Sequence, residues 1–405
     1  MSSPVAQRDI AEATESTTCS TSQMRKASVP LAIALLWASL IAQARLSQPK
    51  HTFPIDTSWV SPLFIDVRVN GSEPIRFILD SASSWSMIRR VEAEKLGLKT
   101  TRSETATGAG GSFTMDFARA TLQIDDLKLN DIELGVTNLP QHYAGILGAD
   151  LFERYVVAID YEAGIAKVSD PADFRPARAD VPINATINGR VPYIRASIVF
   201  AGKAATGDFR IDSASGASMT LDEAFAAQNS FPPADEPIRR TSGHSFNGDF
   251  QLIKARASFI RIGKMEFANP IVDVYQRNRL PDGGTATGGH IGNEILRRFR
   301  VTFDYPHKRI FFAPNRLRNK PFELDMSGLV FGPSYRVASV APASSAELAG
   351  LQVGDVIVSL DGTPVSQLGL AQSHDLLMRD RTDCRVEVKR GERLVSAKLS
   401  LRRQL

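Results

Sequence analysis

Two short runs of this chain are made of residues that could activate water. Asp80-Ser81-Ala82-Ser83 returns as Asp212-Ser213-Ala214-Ser215, 132 residues further on. Two carboxylates that share one proton can hydrolyse an amide, because like charges a few ångströms apart cannot both ionise. One stays protonated and serves as acid; the other takes a proton from water. Such a pair needs each aspartate at the end of a strand, with the two ends facing each other. Ser81 and Ser213 are placed to hydrogen-bond across the pair. The small Ala82 and Ala214 let backbone N–H groups approach the carboxylates and support their charged form.

The elements around the aspartates repeat as well. Ile75-Arg76-Phe77-Ile78-Leu79 and Phe209-Arg210-Ile211 are apolar strands leading into Asp80 and Asp212. Each aspartate is followed by a turn of small residues, then a short helix over residues 91–98 or 222–228. A Gly-rich polar segment comes next, residues 107–112 or 241–248, read as a mobile loop over the site. Alternating strands follow, at residues 118–122 and 255–262. Each half closes on a turn, a helix and a strand ending in Asp-Tyr: GILGADLFERYVVAIDY ends at Tyr161, GHIGNEILRRFRVTFDY at Tyr305. Ser86-Met87 also returns as Ser218-Met219. The repeated Asp160 and Asp304 lie next to turns and are read as turn carboxylates. Two similar β lobes with a shared cleft are expected, joined by a Pro-, Ala- and Arg-rich linker at residues 171–182.

The pattern apolar-apolar-Asp-Ser-small-small, followed in each half by an apolar-apolar-Gly stretch (Ile146-Leu147-Gly148; His290-Ile291-Gly292), resembles the pepsin and retropepsin aspartic proteases of bacterial type. The resemblance covers roughly residues 52–313. It implies a mainly β fold of two duplicated lobes, Asp80 and Asp212 as catalytic residues, and Ser81, Ala82, Ser213 and Ala214 as their supports. It also implies flaps that would bring Gly108, Gly110, Gly111, Gly243 and His244 to substrate. Three departures stand out. Alanine replaces the usual glycine after Asp-Ser in both loops. His290 replaces an aliphatic residue. The first flap lacks a tyrosine.

From residue 321 a different unit begins. Ser344-Ser345-Ala346-Glu347-Leu348-Ala349-Gly350-Leu351, with Val353-Gly354-Asp355-Val356-Ile357, resembles the PDZ modules of bacterial proteases. Residues 344–348 are predicted as a capped helix, 356–360 as a buried strand and Asp361-Gly362 as a tight turn. By the resemblance, Ser327-Gly328-Leu329 forms a loop that binds the carboxylate of a peptide C-terminus. The resulting division is a leader over residues 1–44, lobes over 45–175 and 176–318, and a PDZ-like α/β module over 319–405.

The bulk of the sequence agrees with an exported enzyme of peptides. From Met24, a possible true start, Arg25 and Lys26 precede an apolar run over residues 29–41 and the small-x-small Ala42-Gln43-Ala44. This is a secretory signal pattern with cleavage after Ala44, the alternative being an uncleaved membrane anchor. The run is shorter than the ~20 residues that span a bilayer. An extracytoplasmic location, periplasmic or secreted, is expected. The net charge of +4 over 405 residues is spread without a basic block, which excludes nucleic acid as a partner. The two cysteines, Cys19 and Cys384, make no disulfide framework, and Cys384 is read as a buried apolar residue. No HExxH or CxxC occurs, so neither a metal nor any other cofactor is expected. Trp85 is read as packing and His244 as a solvated loop residue. A serine protease with an attached PDZ module would need a Gly-x-Ser-Gly loop with His and Asp partners, and no such set is visible. The expected function is an aspartic endopeptidase acting on polypeptides; the alternative is a silent relative that captures peptides in its cleft and PDZ module.

Overall fold

The computed structural model describes residues 50–57, 62–108, 110–276, 287–332, 334–403 and 405. The leader, its cleavage site, Cys19 and Met24 lie outside the described residues. The fold is mainly β, with a PDZ domain at the C-terminal end.

The first lobe contains β1 (His51–Pro54), β2 (Phe64–Val69), β3 (Ile75–Leu79), β4 (Met87–Arg89), β5 (Thr100–Gly108), β6 (Gly111–Ile124), β7 (Leu127–Thr137), β8 (Gly145–Leu147), β9 (Val156–Asp160) and β10 (Ile165–Ser169). The second has β11 (Val181–Asn188), β12 (Val191–Phe200), β13 (Lys203–Ile211), β14 (Met219–Leu221), β15 (Ile238–Ser245), β16 (Gly248–Arg256), β17 (Phe259–Ile262), β18 (Met265–Ala268), β19 (Ile271–Tyr275), β20 (Gly289–Ile291), β21 (Phe299–Asp304) and β22 (Arg309–Pro314). In each lobe the aspartate-bearing strand runs parallel to the apolar-apolar-Gly strand: Ile78 sits beside Ile146, and Arg210 beside His290. Strands buried on both faces read as continuous apolar runs, and Phe77, Leu79, Phe209 and Ile211 are fully buried.

The lobes share one sheet. β9 pairs antiparallel with β21, Ile159 opposite Val301, and the order β1-β10-β9-β21-β22-β11 continues into the second lobe. Their apolar residues form one continuous core. The proline-rich connection ends where β11 begins at Val181, so the expected linker overlaps two residues of a strand.

Three local readings need correction. The Gly-rich segments are the ends of two long hairpins, β5–β6 and β15–β16, and not free loops; the alternation of small polar residues is that of paired strands. The strand expected over residues 255–262 is broken between β16 and β17, where Ala257 and Ser258 leave the ladder to bond Pro270 and Val199. Ser86-Met87 and Ser218-Met219 share an offset but not a place in the sheet. Met87 faces Ile146, whereas Thr220 faces His290, so the second strand is shifted by one residue against its apolar-apolar-Gly neighbour.

The last unit has its own core. It comprises β23 (Leu329–Phe331), β24 (Val337–Val340), β25 (Val356–Leu360), β26 (Thr363–Pro364), β27 (Thr382–Arg390) and β28 (Arg393–Leu401). The helix Ser345–Leu348 is capped by Ser344, which accepts from the Glu347 N–H at 3.2 Å. Asp361 and Gly362 both have positive φ, as a tight hairpin turn of this type requires. Cys384 is buried, and burial pushes its thiol pKa up to about 12. Arg256 of the second lobe donates to the carbonyls of Asn269, Phe322 and Leu405 and pairs with Glu323, which also holds Arg403.

Candidate active site

The two Asp-Ser-Ala turns interlock. The Ser81 N–H donates to Ser213 Oγ at 2.9 Å, and the Ser213 N–H donates to Ser81 Oγ at 3.0 Å. Each hydroxyl then donates onward into the opposite strand, Ser81 to the Ile211 carbonyl at 2.8 Å and Ser213 to the Leu79 carbonyl at 2.9 Å. Both serines are fully buried. Four reciprocal bonds thus tie the strand ends that carry Asp80 and Asp212.

The carboxylates are held by their own turns. The Ala82 N–H donates to Asp80 Oδ1 at 2.8 Å, and the Ala214 N–H to Asp212 Oδ1 at 2.9 Å. Neither alanine is among the described residues with positive φ, so a methyl group costs the turn nothing in backbone strain. Burial and the neighbouring Asp212 charge raise the Asp80 pKa to about 7, against the Ala82 N–H and the field of Arg210.

A second tier supports the turns from below. The Tyr305 hydroxyl donates to the Ser81 carbonyl at 2.6 Å. Asn293 donates from Nδ2 to the Ser213 carbonyl at 2.6 Å, and its Oδ1 accepts from the Tyr161 hydroxyl at 2.8 Å. Sequence reasoning passed over all three. The signal was present in the repeated Asp-Tyr, where the tyrosines, and not the aspartates, reach the site. Asp160 and Asp304 cap turns as expected: Asp160 Oδ1 accepts from the Ala163 N–H, and Asp304 Oδ1 contacts His307.

The hairpin ends meet over the turns. Asn247, between β15 and β16, accepts from the Gly110 N–H at 2.7 Å and donates to the Gly111 carbonyl. Phe113 and Phe246 contact edge to face, 4.9 Å between centroids. Gly111 and Gly248 take φ of 128° and 134°, which favour glycine. A Cβ on Gly110 would lie 2.3 Å from the Asn247 backbone. Gly108 leaves a Cβ only 3.1 Å from the Asn247 side chain, and a Cβ on Gly243 would strike the Phe250 ring at 2.1 Å. The backbone of His244 lies in β15, and its side chain is outside the described residues. Trp85 packs edge-on to Phe117 and under Arg190.

In the last module the expected carboxylate loop is occupied from within. The Leu329 N–H donates to Ser327 Oγ at 3.0 Å, and the Ser327 N–H to Asp325 Oδ1 at 2.8 Å. The Gly328 carbonyl accepts from Ala341. Two of the N–H groups foreseen for a peptide carboxylate are therefore spoken for, one of them by an anionic side chain. His374 stacks on Phe331 at 4.5 Å, beside the same strand. Among the described residues no cluster of His, Cys, Asp and Glu is arranged to hold a metal ion.

Residues 65–151 match the family model for aspartyl proteases, and residues 336–390 match that for PDZ domains. The chain is 35% identical over 157 residues to a protein of Synechocystis sp. whose name describes it as an inferred serine protease, HhoA; the match takes in 33% of this chain and 36% of that one. The chain thus spans about a third of the length of that curated relative. A crystal structure of the aspartic proteinase from Irpex lacteus aligns over 67% of this chain and 98% of its own, with a TM-score of 0.45 and 15% identity. The chain carries an aspartyl-protease-type domain and a PDZ domain.

Proposed function

We propose that the chain is an aspartic endopeptidase in which Asp80 and Asp212 activate one water for attack on a peptide carbonyl. The single observation that carries this reading is the reciprocal Ser81–Ser213 bonding, which fixes two carboxylate-bearing turns about a common axis. The raised pKa of Asp80 supports a shared proton: near neutral pH one carboxyl can donate to the leaving amine while the other takes a proton from water. The match of residues 65–151 to aspartyl proteases supports hydrolysis of peptides, and the name of the Synechocystis relative supports proteolysis of a different chemical type. That relative covers too little of either chain to displace the aspartate reading. Ser215 beside His290 is the nearest thing to a serine–histidine pair in the cleft, and its hydroxyl is engaged by the Ala217 N–H as well as by the ring.

The substrate is an extended polypeptide bound beneath the hairpins, and no cofactor takes part. The PDZ module adjusts access and takes no part in the chemistry. Export through the leader places the enzyme outside the cytoplasm. Asp80→Asn and Asp212→Asn should each lower turnover of an unfolded polypeptide by about 10²–10⁴-fold, the usual worth of a positioned acid or base. Unchanged turnover in either variant, with the fold intact by circular dichroism, would sink the mechanism.

A further inference from the structure

The two halves of the cleft are built on the same strands but lined with opposite chemistry. On the first lobe, Phe64, Ile78, Met87, Phe117 and Ile146 form one apolar cluster. Ala214 of the opposite turn and Phe113 and Phe246 of the hairpin ends pack against it, so this face looks into the cleft. Strand pairing gives the corresponding places on the second lobe. Ile78 beside Ile146 becomes Arg210 beside His290. Phe64 opposite Ile78 becomes Tyr193 opposite Arg210. Met87 opposite Ile146 becomes Thr220 opposite His290. Phe117 opposite Gly135 becomes Lys254 opposite Asp273, an ion pair at 2.6 Å.

His290 is the informative member. It is 5% exposed, and its Nδ1 is buried without a hydrogen bond. Its Nε2 lies 3.0 Å from Ser215 Oγ, which already accepts from the Ala217 N–H. Whichever ring nitrogen carries the proton, Nδ1 is left as a buried polar atom without a partner. Burial holds the imidazole below its ordinary pKa, which keeps the ring neutral. The outcome is a buried ring nitrogen without a partner, close enough to Asp212 and Arg210 to feel both charges. Orphaned buried polar atoms are rare unless a ligand completes them.

We propose that the subsites on either side of the scissile bond select different side chains. The first lobe takes a large apolar residue. The second, walled by Arg210, Ser215 and His290, takes a residue carrying an acceptor oxygen, glutamate or glutamine. This inference rests on the peptide-bond chemistry proposed above.

The full chain should be offered peptide libraries varied on both sides of the scissile bond. On one side glutamate or glutamine should be favoured over leucine by at least about tenfold, since a site built to hydrogen-bond rejects a side chain that cannot. On the other side large apolar residues should lead. A preference for glutamate over glutamine assigns the larger share to Arg210, and equal preference assigns it to His290. The double variant Arg210→Ile/His290→Ile, which installs the residues found at positions 78 and 146, should favour apolar residues on both sides. A parent enzyme that already prefers apolar residues on both sides, or a folded double variant with an unchanged profile, overturns the inference. Calorimetry with uncleavable reduced-amide peptides gives a readout that needs neither turnover nor the variant. Tighter binding of the glutamate and glutamine peptides by a chain that cleaves nothing would keep the subsite and sink the proteolytic reading. Equal binding of the glutamate, glutamine and leucine peptides would sink the subsite.

Discussion

The Ser81 and Ser213 side chains do their work by facing each other rather than substrate. Removing one hydroxyl strands two buried partners at once. In Ser81→Ala the Ser213 N–H loses its acceptor and the Ile211 carbonyl its donor. Each unsatisfied buried group costs about 1–3 kcal/mol, so a loss of about 2–5 kcal/mol is expected in denaturant unfolding. Asp80 makes a prediction of its own. Its folded pKa, about 7, stands above the ordinary carboxyl value because of burial and the Asp212 charge. The folded state therefore holds a proton that the unfolded state has given up. The stabilisation is complete below the unfolded pKa near 3.8 and is lost as pH rises through about 7. Asp80→Asn should flatten this dependence, raising Tm relative to the parent more at pH 8 than at pH 5. Scanning calorimetry at the two pH values checks it, and an equal shift at both would argue against the raised pKa. The aspartates and serines were legible in the sequence because they repeat at one offset. Asn293 was not, since Ala149 holds its place in the first half and no repeat marks it.

At the scale of elements, the hairpins β5–β6 and β15–β16 form a roof with a fastening. Asn247 supplies two hydrogen bonds between them, and the Gly110 backbone fits against it with no room for a methyl group. Asn247→Ala should leave the core intact and free the roof. In hydrogen exchange the Gly110 amide should exchange about tenfold faster, the equivalent of roughly 1.4 kcal/mol for a broken fastening. Unaltered exchange would mean that the Phe113–Phe246 contact and the backbone packing hold the roof without Asn247. Sequence periodicity placed the strands that lead to the aspartates. It missed that the glycine-rich stretches are strands, because Thr100–Gly108 is mostly polar and exposed and shows no apolar alternation. Pairing with β6, rather than burial, gives that stretch its structure.

Across the whole molecule, the lobes have one core and the PDZ module another, and Arg256 ties them together beside Phe322, which packs in the lobe core. Its guanidinium holds two backbone carbonyls that flank the module, those of Phe322 and Leu405, and the Glu323 carboxylate. Arg256→Ala should loosen the module without unfolding it. A single calorimetric transition should become two, and cleavage by an added protease should appear between residues 314 and 327. One undivided transition would show that the remaining contacts suffice. The two-lobed plan and the third module were both visible in the repeats and in the change of character after Pro314. The Arg256 tie was not, because it depends on an arginine reaching carbonyls 66 and 149 residues away.

The shared sheet also sets an order of assembly. β9 has β10 on one side from the outset, but its other edge waits for β21, with Ile159 pairing only once Val301 exists. On a ribosome adding about 5–20 residues per second, the first lobe is complete for roughly ten seconds before that partner strand emerges. During that time Val157 and Ile159 border an open strand edge, the usual template for wrong pairings. Nascent or truncated chains that stop before residue 299 should therefore be the aggregation-prone form of this protein, and a holding chaperone that covers β9 would protect them.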